Sequence, residues 1–153
     1  HLIDPMEGLM TLTKLMKPDA ILRLGLYSRS ARSDLSVHKT KIRSDAESIR
    51  QFRHDIVSNE TSWNSDLIIS RDFYTLSGVK DLVFHEQETL YDLEEIATML
   101  STANLEFCGF ALDTQKSSSL KGTELFDLKA WKHYEQNNPK FFAGMYQFWC
   151  QKK

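Results

Sequence analysis

The stretch AILRLGLY, from Ala20 to Tyr27, is the part of the sequence that decides the fold. Its alternate residues are apolar, and the residues between them are largely apolar or small, which is typical of a central strand covered on both faces. A helix pattern comes before it, with Asp4 as its capping residue and Lys17-Pro18 as its end. A helix, a short turn and a buried strand in this order predict a parallel α/β sheet.

The composition is that of an ordinary globular domain. The chain has 153 residues, of which 41% are hydrophobic and 26% charged, and this length allows one domain with its own core. The 19 Lys and Arg residues against 21 Asp and Glu residues give a net charge of −2, which argues against nucleic acid as a partner. Apolar runs stay below the ~18 residues that span a bilayer, so no membrane partner is expected. Two cysteines are too few for a disulfide scaffold, which predicts a reduced, cytoplasmic protein.

Further helices and strands follow in alternation. Helix patterns begin at Ser44, Asp92 and Asp127, and strand patterns cover residues 105–112 and 144–150. We interpret five aromatic residues as core: Trp131, Phe141, Phe142, Phe148 and Trp149. The chain has no glycine-rich nucleotide loop, no HExxH, no G-x-S-x-G and no cysteine pair at metal spacing. Its five histidines are scattered, so no metal site is expected, and the cofactor-binding residues stay unknown.

Three segments resemble one family. Residues 1–28, HLIDPMEGLMTLTKLMKPDAILRLGLYS, resemble the part of class I S-adenosylmethionine-dependent methyltransferases that runs from the end of the fourth strand into the fifth. The family has His-Leu-x-Asp-Pro, a Leu-rich helix, Lys-Pro-Gly-Gly and an apolar strand there. Residues 71–90 and 139–152 resemble the C-terminal portion of a bacterial subgroup that is often fused to tetratricopeptide repeats.

The sequence departs from the family pattern in two places. Lys17-Pro18-Asp19-Ala20 stands where the family has Lys-Pro-Gly-Gly, so the turn has to form without the positive φ of glycine. The glycine-rich first loop and the acidic residue after the second strand, which hold the cofactor in the family, are missing. The resemblance therefore implies a fragment, the C-terminal part of a methyltransferase. The intact protein would use S-adenosylmethionine, and none is expected to bind to this chain.

The resemblance implies an architecture as well. The chain would be one partial domain over residues 1–153, the C-terminal half of a Rossmann-like sheet. Residues 20–27 would be strand five, residues 105–112 strand six, and residues 145–151 the antiparallel strand seven inserted between them. Residues 29–90 would be a helical insertion that caps the carboxyl ends of the strands, where open α/β sheets bind ligands.

This geometry implies three substrate-binding residues near the end of strand five. Tyr27 and Ser28 would lie at its ligand-facing end, and His1 matches the position after strand four near the junction of cofactor and substrate. The alternative for Tyr27 is an aromatic residue at the edge of the core, and the alternative for His1 is the remnant of a tag.

Three more candidates would lie under the insertion. Arg71 and Tyr74 each combine a polar tip with apolar neighbours and are predicted to bind substrate. His85 is the predicted catalytic base, because a methyl acceptor has to lose a proton around the transfer. The alternatives are an ion pair between Arg71 and Asp72, and a purely structural histidine at His85.

Two functions compete. In the first, the chain is the sheet-completing and substrate-capping part of a methyltransferase and is inactive alone; the acceptor stays undetermined. In the second, it is a non-catalytic α/β interaction or dimerisation module. The first implies that the missing N-terminal half is a partner. It also predicts a homo-oligomer of the isolated chain, because residues 20–27 would form an uncovered strand edge.

Overall fold

The computed structural model describes residues 2–32, 45–58, 68, 70–84, 88–113, 116, 119–139, 141–142 and 145–153. In chain order the elements are α1 (Pro5–Leu15), β1 (Ile21–Ser28), α2 (Ala46–Val57), a 3₁₀-helix (Arg71–Tyr74), α3 (Leu76–Phe84), β2 (Leu90–Tyr91), α4 (Leu93–Thr102), β3 (Leu105–Phe110), a second 3₁₀-helix (Gly122–Phe126), α5 (Leu128–Asn137) and β4 (Met145–Lys152). None of the described helices has both the length and the apolar character needed to cross a bilayer.

The chain divides into two compact units. Unit 1 comprises His1–Arg32 and Gln87–Lys153, and unit 2 comprises Ser33–Glu86. The predicted insertion over residues 29–90 is a few residues longer at each end than unit 2, and its capping role stays a prediction.

The four strands of unit 1 form one sheet in the order β2-β1-β4-β3. β4 is antiparallel to both β1 and β3 and lies between them, which is the place predicted for residues 145–151. The strands over residues 20–27 and 105–112 are confirmed within two residues at each end. The fold class is therefore confirmed as mixed α/β with half of a Rossmann-like sheet. β2 is parallel to β1 and was not predicted.

One face of the sheet carries the core of unit 1. Along β4 the alternate residues Tyr146, Phe148 and Cys150 are fully buried, as the two-residue period of a strand requires. The leucines of β1 pack against the same cluster, and α1, α4 and α5 all contribute to it. Trp131 of α5 is also fully buried and donates its indole N–H to the Leu125 carbonyl oxygen at 3.0 Å.

The other face of the sheet is exposed, which corrects two predictions. Ile21, Arg23 and Gly25 of β1 are exposed, so β1 is covered on one face and not on both. Trp149 was interpreted as core, yet it is 42% exposed and its ring lies 5.5 Å from the Arg23 guanidinium carbon. The reason is that the three helices of unit 1 share the core on the leucine face.

Capping residues fix the starts of the helices. Asp4 accepts from the Glu7 amide at 2.9 Å, Asp127 caps α5, and Asp92 and Glu95 form the predicted capping box of α4. α2 is capped by Asp45, whose carboxylate accepts from the Ser48 amide at 2.9 Å. The predicted cap, Ser44, lies outside the described residues.

Unit 2 has a small core of its own. Its buried residues are Ile49, Phe52, Ile56, Phe73, Val79 and Val83, contributed by α2, the first 3₁₀-helix and α3. Gly78 allows α3 to approach that 3₁₀-helix, because a Cβ at this position would collide with the Asp72 carbonyl oxygen. The apolar residues on one side of each helix thus form the core of this unit.

The turn into β1 has the backbone conformation that the family pattern assigns to glycine. Asp19 adopts φ 61°, so the expectation that this turn forms without a positive φ is wrong. Asp reaches this conformation more easily than most residues with a side chain. The Asp19 amide also donates to the Lys152 carbonyl oxygen at 3.2 Å, which ties the turn to β4.

Replacing Asp19 with glycine is expected to leave the free energy of unfolding unchanged or to raise it by up to about 1 kcal/mol. The left-handed conformation costs a residue with a side chain about 1–2 kcal/mol, part of which glycine loses again through the freedom of its unfolded chain. Urea denaturation measures the change. Asp19→Val is the contrasting variant and should be destabilised, because a β-branched residue avoids positive φ. A clear loss of stability in Asp19→Gly would contradict this account of the turn.

Candidate functional site

The candidate site lies in unit 1, at the carboxyl end of β1. β1 and β2 are parallel and end together, with Tyr27 opposite Leu90 and Ser28 opposite Tyr91. The carboxyl ends of parallel strands are where open α/β sheets bind ligands. The structure therefore places Tyr27 and Ser28 at the end of the sheet that is suited to a ligand.

Ser28 belongs to a buried group of three hydrogen-bonded polar side chains. The Tyr146 hydroxyl lies 2.7 and 2.8 Å from the two carboxylate oxygens of Glu135, and the Ser28 hydroxyl donates to one of them at 3.2 Å. Glu135 is 6% exposed, and Ser28 and Tyr146 are fully buried. The group joins β1, β4 and α5 at one point, so it fixes the end of β1 relative to the helix layer.

Burial controls the protonation of this group. It raises the pKa of Glu135 above the ordinary 4.5, and the hydrogen bonds from Tyr146 and Ser28 oppose part of that rise. Burial also raises the pKa of Tyr146 far above the ordinary tyrosine value. Tyr146 therefore stays a neutral donor, and Glu135 can hold a proton at a higher pH than an exposed carboxyl group.

A second buried contact orients Tyr27. The guanidinium carbon of Arg32 lies 4.4 Å from the centre of the Tyr27 ring, a cation–π distance. Arg32 also forms an ion pair with Glu88 at 2.7 Å, and both charged side chains are 6% exposed. The Tyr27 ring thus packs against the buried charge of Arg32.

The sequence analysis missed Arg32, Glu88 and Glu135. One signal for Glu135 was present, since it follows the core residue Trp131 by four positions and so lies on the same side of α5. Nothing comparable marks Arg32 or Glu88, because charged residues next to loops are usually solvated.

The other predicted site residues are not brought into this group. His1 and His85 lie outside the described residues. Arg71 and Tyr74 belong to unit 2, on its first 3₁₀-helix. Both are exposed, Tyr74 by 58%, and the Tyr74 ring packs edge-on against buried Phe73. Their proposed contact with substrate stays a prediction.

An apolar groove of about 320 Å³ lies between α1 and the edge of β1. Leu2, Leu12, Leu24 and Leu26 are among its lining residues, and Tyr27, Thr89 and Tyr91 supply its hydroxyl groups. The remaining lining residues are apolar or glycine, so the groove offers no carboxylate for a ribose and no charged partner for an amino-acid group. These residues do not fit S-adenosylmethionine. Within the described ranges, no cluster of His, Cys, Asp and Glu side chains could hold a metal ion.

The edge of β1 beside this groove is open. On the side of β1 away from β4, the described residues place β2 next to Tyr27 and Ser28 and no strand next to Ile21–Leu26. The sheet thus has an interior strand with most of one edge uncovered, next to an apolar surface.

Comparison with known proteins identifies solved structures with a similar fold. No protein-family model and no curated protein match the chain. Solved structures do match, among them PKMT2 from Rickettsia typhi, with a TM-score of 0.62 and 15% identity, and PKMT2 from Rickettsia typhi in complex with AdoHcy, with a TM-score of 0.58 and 14% identity. Each match covers 97% of this chain and 32% or 33% of the other. The chain therefore spans about a third of these structures, and at this identity the likeness shows that the chain shares their fold.

Proposed function

We propose that this chain is the C-terminal, sheet-completing and substrate-capping part of an S-adenosylmethionine-dependent methyltransferase, and that it is inactive alone. The open edge of β1 carries this proposal. A similar fold with about three times the length, one example of which is in complex with AdoHcy, supports a larger domain. The poor fit of the groove to S-adenosylmethionine supports a cofactor site in the part of the domain beyond these residues.

The backbone of β1 has hydrogen-bonding groups on both sides of the strand. The Lys152 amide donates to the Ala20 carbonyl oxygen on the β4 side, at 3.0 Å, and the Arg29 amide donates to the Tyr91 carbonyl oxygen on the other side, at 2.9 Å. Because backbone groups alternate sides along a strand, Ile21, Arg23 and Gly25 direct theirs to the open edge. Such an edge invites another strand. The missing N-terminal half is the partner we propose, and a second copy would cover the edge of the isolated chain.

The proposed substrate side is the carboxyl end of β1. Tyr27 would contact the acceptor there, whereas fully buried Ser28 would hold the end of the strand. Arg71 and Tyr74 of unit 2 remain proposed substrate-binding residues. His85 would take the proton that the acceptor loses, and His1 would stand at the junction of cofactor and substrate. Transfer of a methyl group otherwise needs little more than alignment of the acceptor with the reacting methyl. The buried hydrogen bonds among Ser28, Glu135 and Tyr146 agree with this need, because they hold the end of β1 in place.

The experiment is an assay of methyl transfer from labelled S-adenosylmethionine, with the full-length protein and with residues 1–153 side by side. We expect labelled product from the full-length protein and none from the chain alone. Arg71→Ala in the full-length protein is expected to raise KM for the acceptor and to leave the free energy of unfolding within about 0.5 kcal/mol, because the side chain is exposed. Exposed Lys121 supplies the control variant Lys121→Ala. Equal KM values in both variants would remove Arg71 from the site, and a lack of product with every acceptor class would overturn the proposed function.

The alternative is a non-catalytic interaction or dimerisation module. The fold likeness does not favour it. It would gain support if the full-length protein neither bound AdoHcy nor transferred a methyl group while the chain formed a stable dimer.

A further inference from the structure

Ser28 connects the end of β1 to the turn that follows it. Its hydroxyl donates to a carboxylate oxygen of Glu135 at 3.2 Å and accepts from the Ala31 amide at 3.2 Å. Its carbonyl oxygen accepts from the Arg32 amide at 3.1 Å. A serine hydroxyl has a single proton to donate, so the bond to Glu135 uses this proton and leaves the lone pairs of the oxygen for the Ala31 amide. Glu135 thus helps to set the turn over residues 28–32.

The turn places the side chain of Arg32 next to Tyr27. The guanidinium carbon lies 4.4 Å from the centre of the Tyr27 ring, and the guanidinium is paired with Glu88 at 2.7 Å. The backbone of Arg32 is held by Ser28 through the bond to its amide. Arg32 is therefore fixed at both ends, and its place against the ring depends on the turn.

Tyr27 also belongs to the wall of the apolar groove. It lines the groove at the carboxyl end of β1, together with Leu26 and Tyr91. This is the end of the sheet at which the proposed function has the methyl acceptor. The position of the Tyr27 ring therefore bears on how the acceptor would be aligned.

Packing alone does not require a carboxyl group at Glu135. A buried charged group often stabilises a protein less than an apolar side chain of similar volume would. The carboxylate supplies something an apolar side chain lacks, an acceptor for the hydroxyl proton of Ser28. Without that acceptor, the buried hydroxyl would turn its proton to another partner, and the bond to the Ala31 amide would no longer be fixed.

We propose that Glu135 is a positioning residue for Tyr27: through the Ser28 hydroxyl, its buried carboxylate sets the turn that holds the Arg32 guanidinium against the Tyr27 ring. This inference rests on the proposed function, in which Tyr27 contacts the methyl acceptor. Glu135 acts through these residues and not by touching the acceptor, because it is 6% exposed and both of its carboxylate oxygens are hydrogen-bonded.

NMR of the full-length protein with ¹⁵N-labelled arginine tests the proposal without cofactor or acceptor. Guanidinium protons that lie over an aromatic ring resonate upfield, and Arg32→Lys identifies the signal by its loss. Ser28→Ala should fold, because alanine fits the space of serine, and it should remove most of the upfield shift. Exchange of the Ala31 amide should rise roughly fivefold, the effect of losing about one hydrogen bond.

Two further variants separate positioning from stability. Tyr146→Phe removes the other donor to Glu135 but leaves Ser28 and the turn in place, so it should lower the free energy of unfolding and keep the Arg32 signal upfield. Glu135→Gln retains an oxygen that can accept from Ser28 and should also keep the signal. Glu135→Met lacks that oxygen and should lose the signal as Ser28→Ala does; if this variant fails to fold, Ser28→Ala decides.

Methyl-transfer kinetics of the full-length protein give a second readout. Ser28→Ala should lower kcat/KM for the acceptor by roughly tenfold to 100-fold, the cost of a misplacement of up to about 1 Å, and leave KM for S-adenosylmethionine unchanged. Glu135→Gln should retain the original kcat/KM. An Arg32 signal or a kcat/KM that stays unchanged in Ser28→Ala, or an equal loss of the signal in Tyr146→Phe, would overturn the proposal. If no methyl group is transferred while the NMR results hold, the proposed function is wrong and the positioning of Tyr27 by Glu135 stands.

Discussion

Replacing Trp131 with alanine is expected to lower the free energy of unfolding of unit 1 by about 3–5 kcal/mol, the usual cost of truncating a buried tryptophan. Trp131 is fully buried, and its ring lies within 6.0 Å of the rings of Phe110, Tyr134, Phe141 and Phe142. The variant also leaves the Leu125 carbonyl oxygen without its indole donor. Urea denaturation followed by circular dichroism measures the loss.

Trp149→Ala is the matched control. Trp149 lies on the exposed face of the sheet, where its ring packs against the Arg23 guanidinium. A cation–π contact at an exposed site is worth about 0.5–1 kcal/mol, so the loss should be well below that of Trp131→Ala. Equal losses in the two variants would mean that the second face of the sheet is covered after all.

Replacing Tyr146 with phenylalanine is expected to lower the free energy of unfolding by about 1.5–3 kcal/mol at a pH at which Glu135 is charged, the range for a hydrogen bond to a charged group. The Tyr146 hydroxyl lies within 2.8 Å of both oxygens of buried Glu135. Phenylalanine keeps the packing of the ring but removes the donor, so the carboxylate retains the hydrogen bond from Ser28. Tyr134→Phe is the control, because Tyr134 is another tyrosine packed against this core and lies on α5.

The cost of Tyr146→Phe should depend on pH. Because burial raises the folded-state pKa of Glu135 above 4.5, the folded protein binds this proton more tightly than the unfolded chain. The contribution of Glu135 to stability is therefore greatest below the unfolded pKa and falls as the pH rises through the folded pKa. The hydroxyl of Tyr146 matters most when Glu135 is charged, so the destabilisation should shrink as the pH is lowered through this window. A cost that does not change with pH would show that Glu135 has the same charge across the window.

The sequence predicted the strands and most helix starts because those depend on local physics. The alternation in residues 145–151 and the capping box at Asp92 and Glu95 need no knowledge of distant residues. The position of β4 between β1 and β3 came from the family resemblance. β2 was missed because a strand of two residues is too short to show an alternating pattern of apolar and polar side chains. Its pairing also depends on Arg29, about 60 residues earlier in the chain.

The exposed face of the sheet was mispredicted for a related reason. Ile21 and Gly25 are compatible with burial, but whether a face is buried depends on which helices pack there. The turn at Asp19 was mispredicted because aspartate reaches positive φ at a modest cost, which the absence of glycine alone does not reveal.

The candidate site was predictable only at the end of β1. Tyr27 and Ser28 follow from the position of the strand, since ligands bind at carboxyl ends. Glu135, Arg32 and Glu88 are charged, and their burial results from contacts between residues far apart in the chain. Composition and local spacing predict that such charged side chains are exposed to solvent.

The most direct test of the central claim is a calorimetric titration of AdoHcy into the full-length protein and, separately, into residues 1–153. If this chain completes the sheet of a methyltransferase whose cofactor site lies in the preceding half, the full-length protein binds with micromolar affinity and the chain alone shows no binding heat. Micromolar binding by residues 1–153, or none by the full-length protein, would contradict the account.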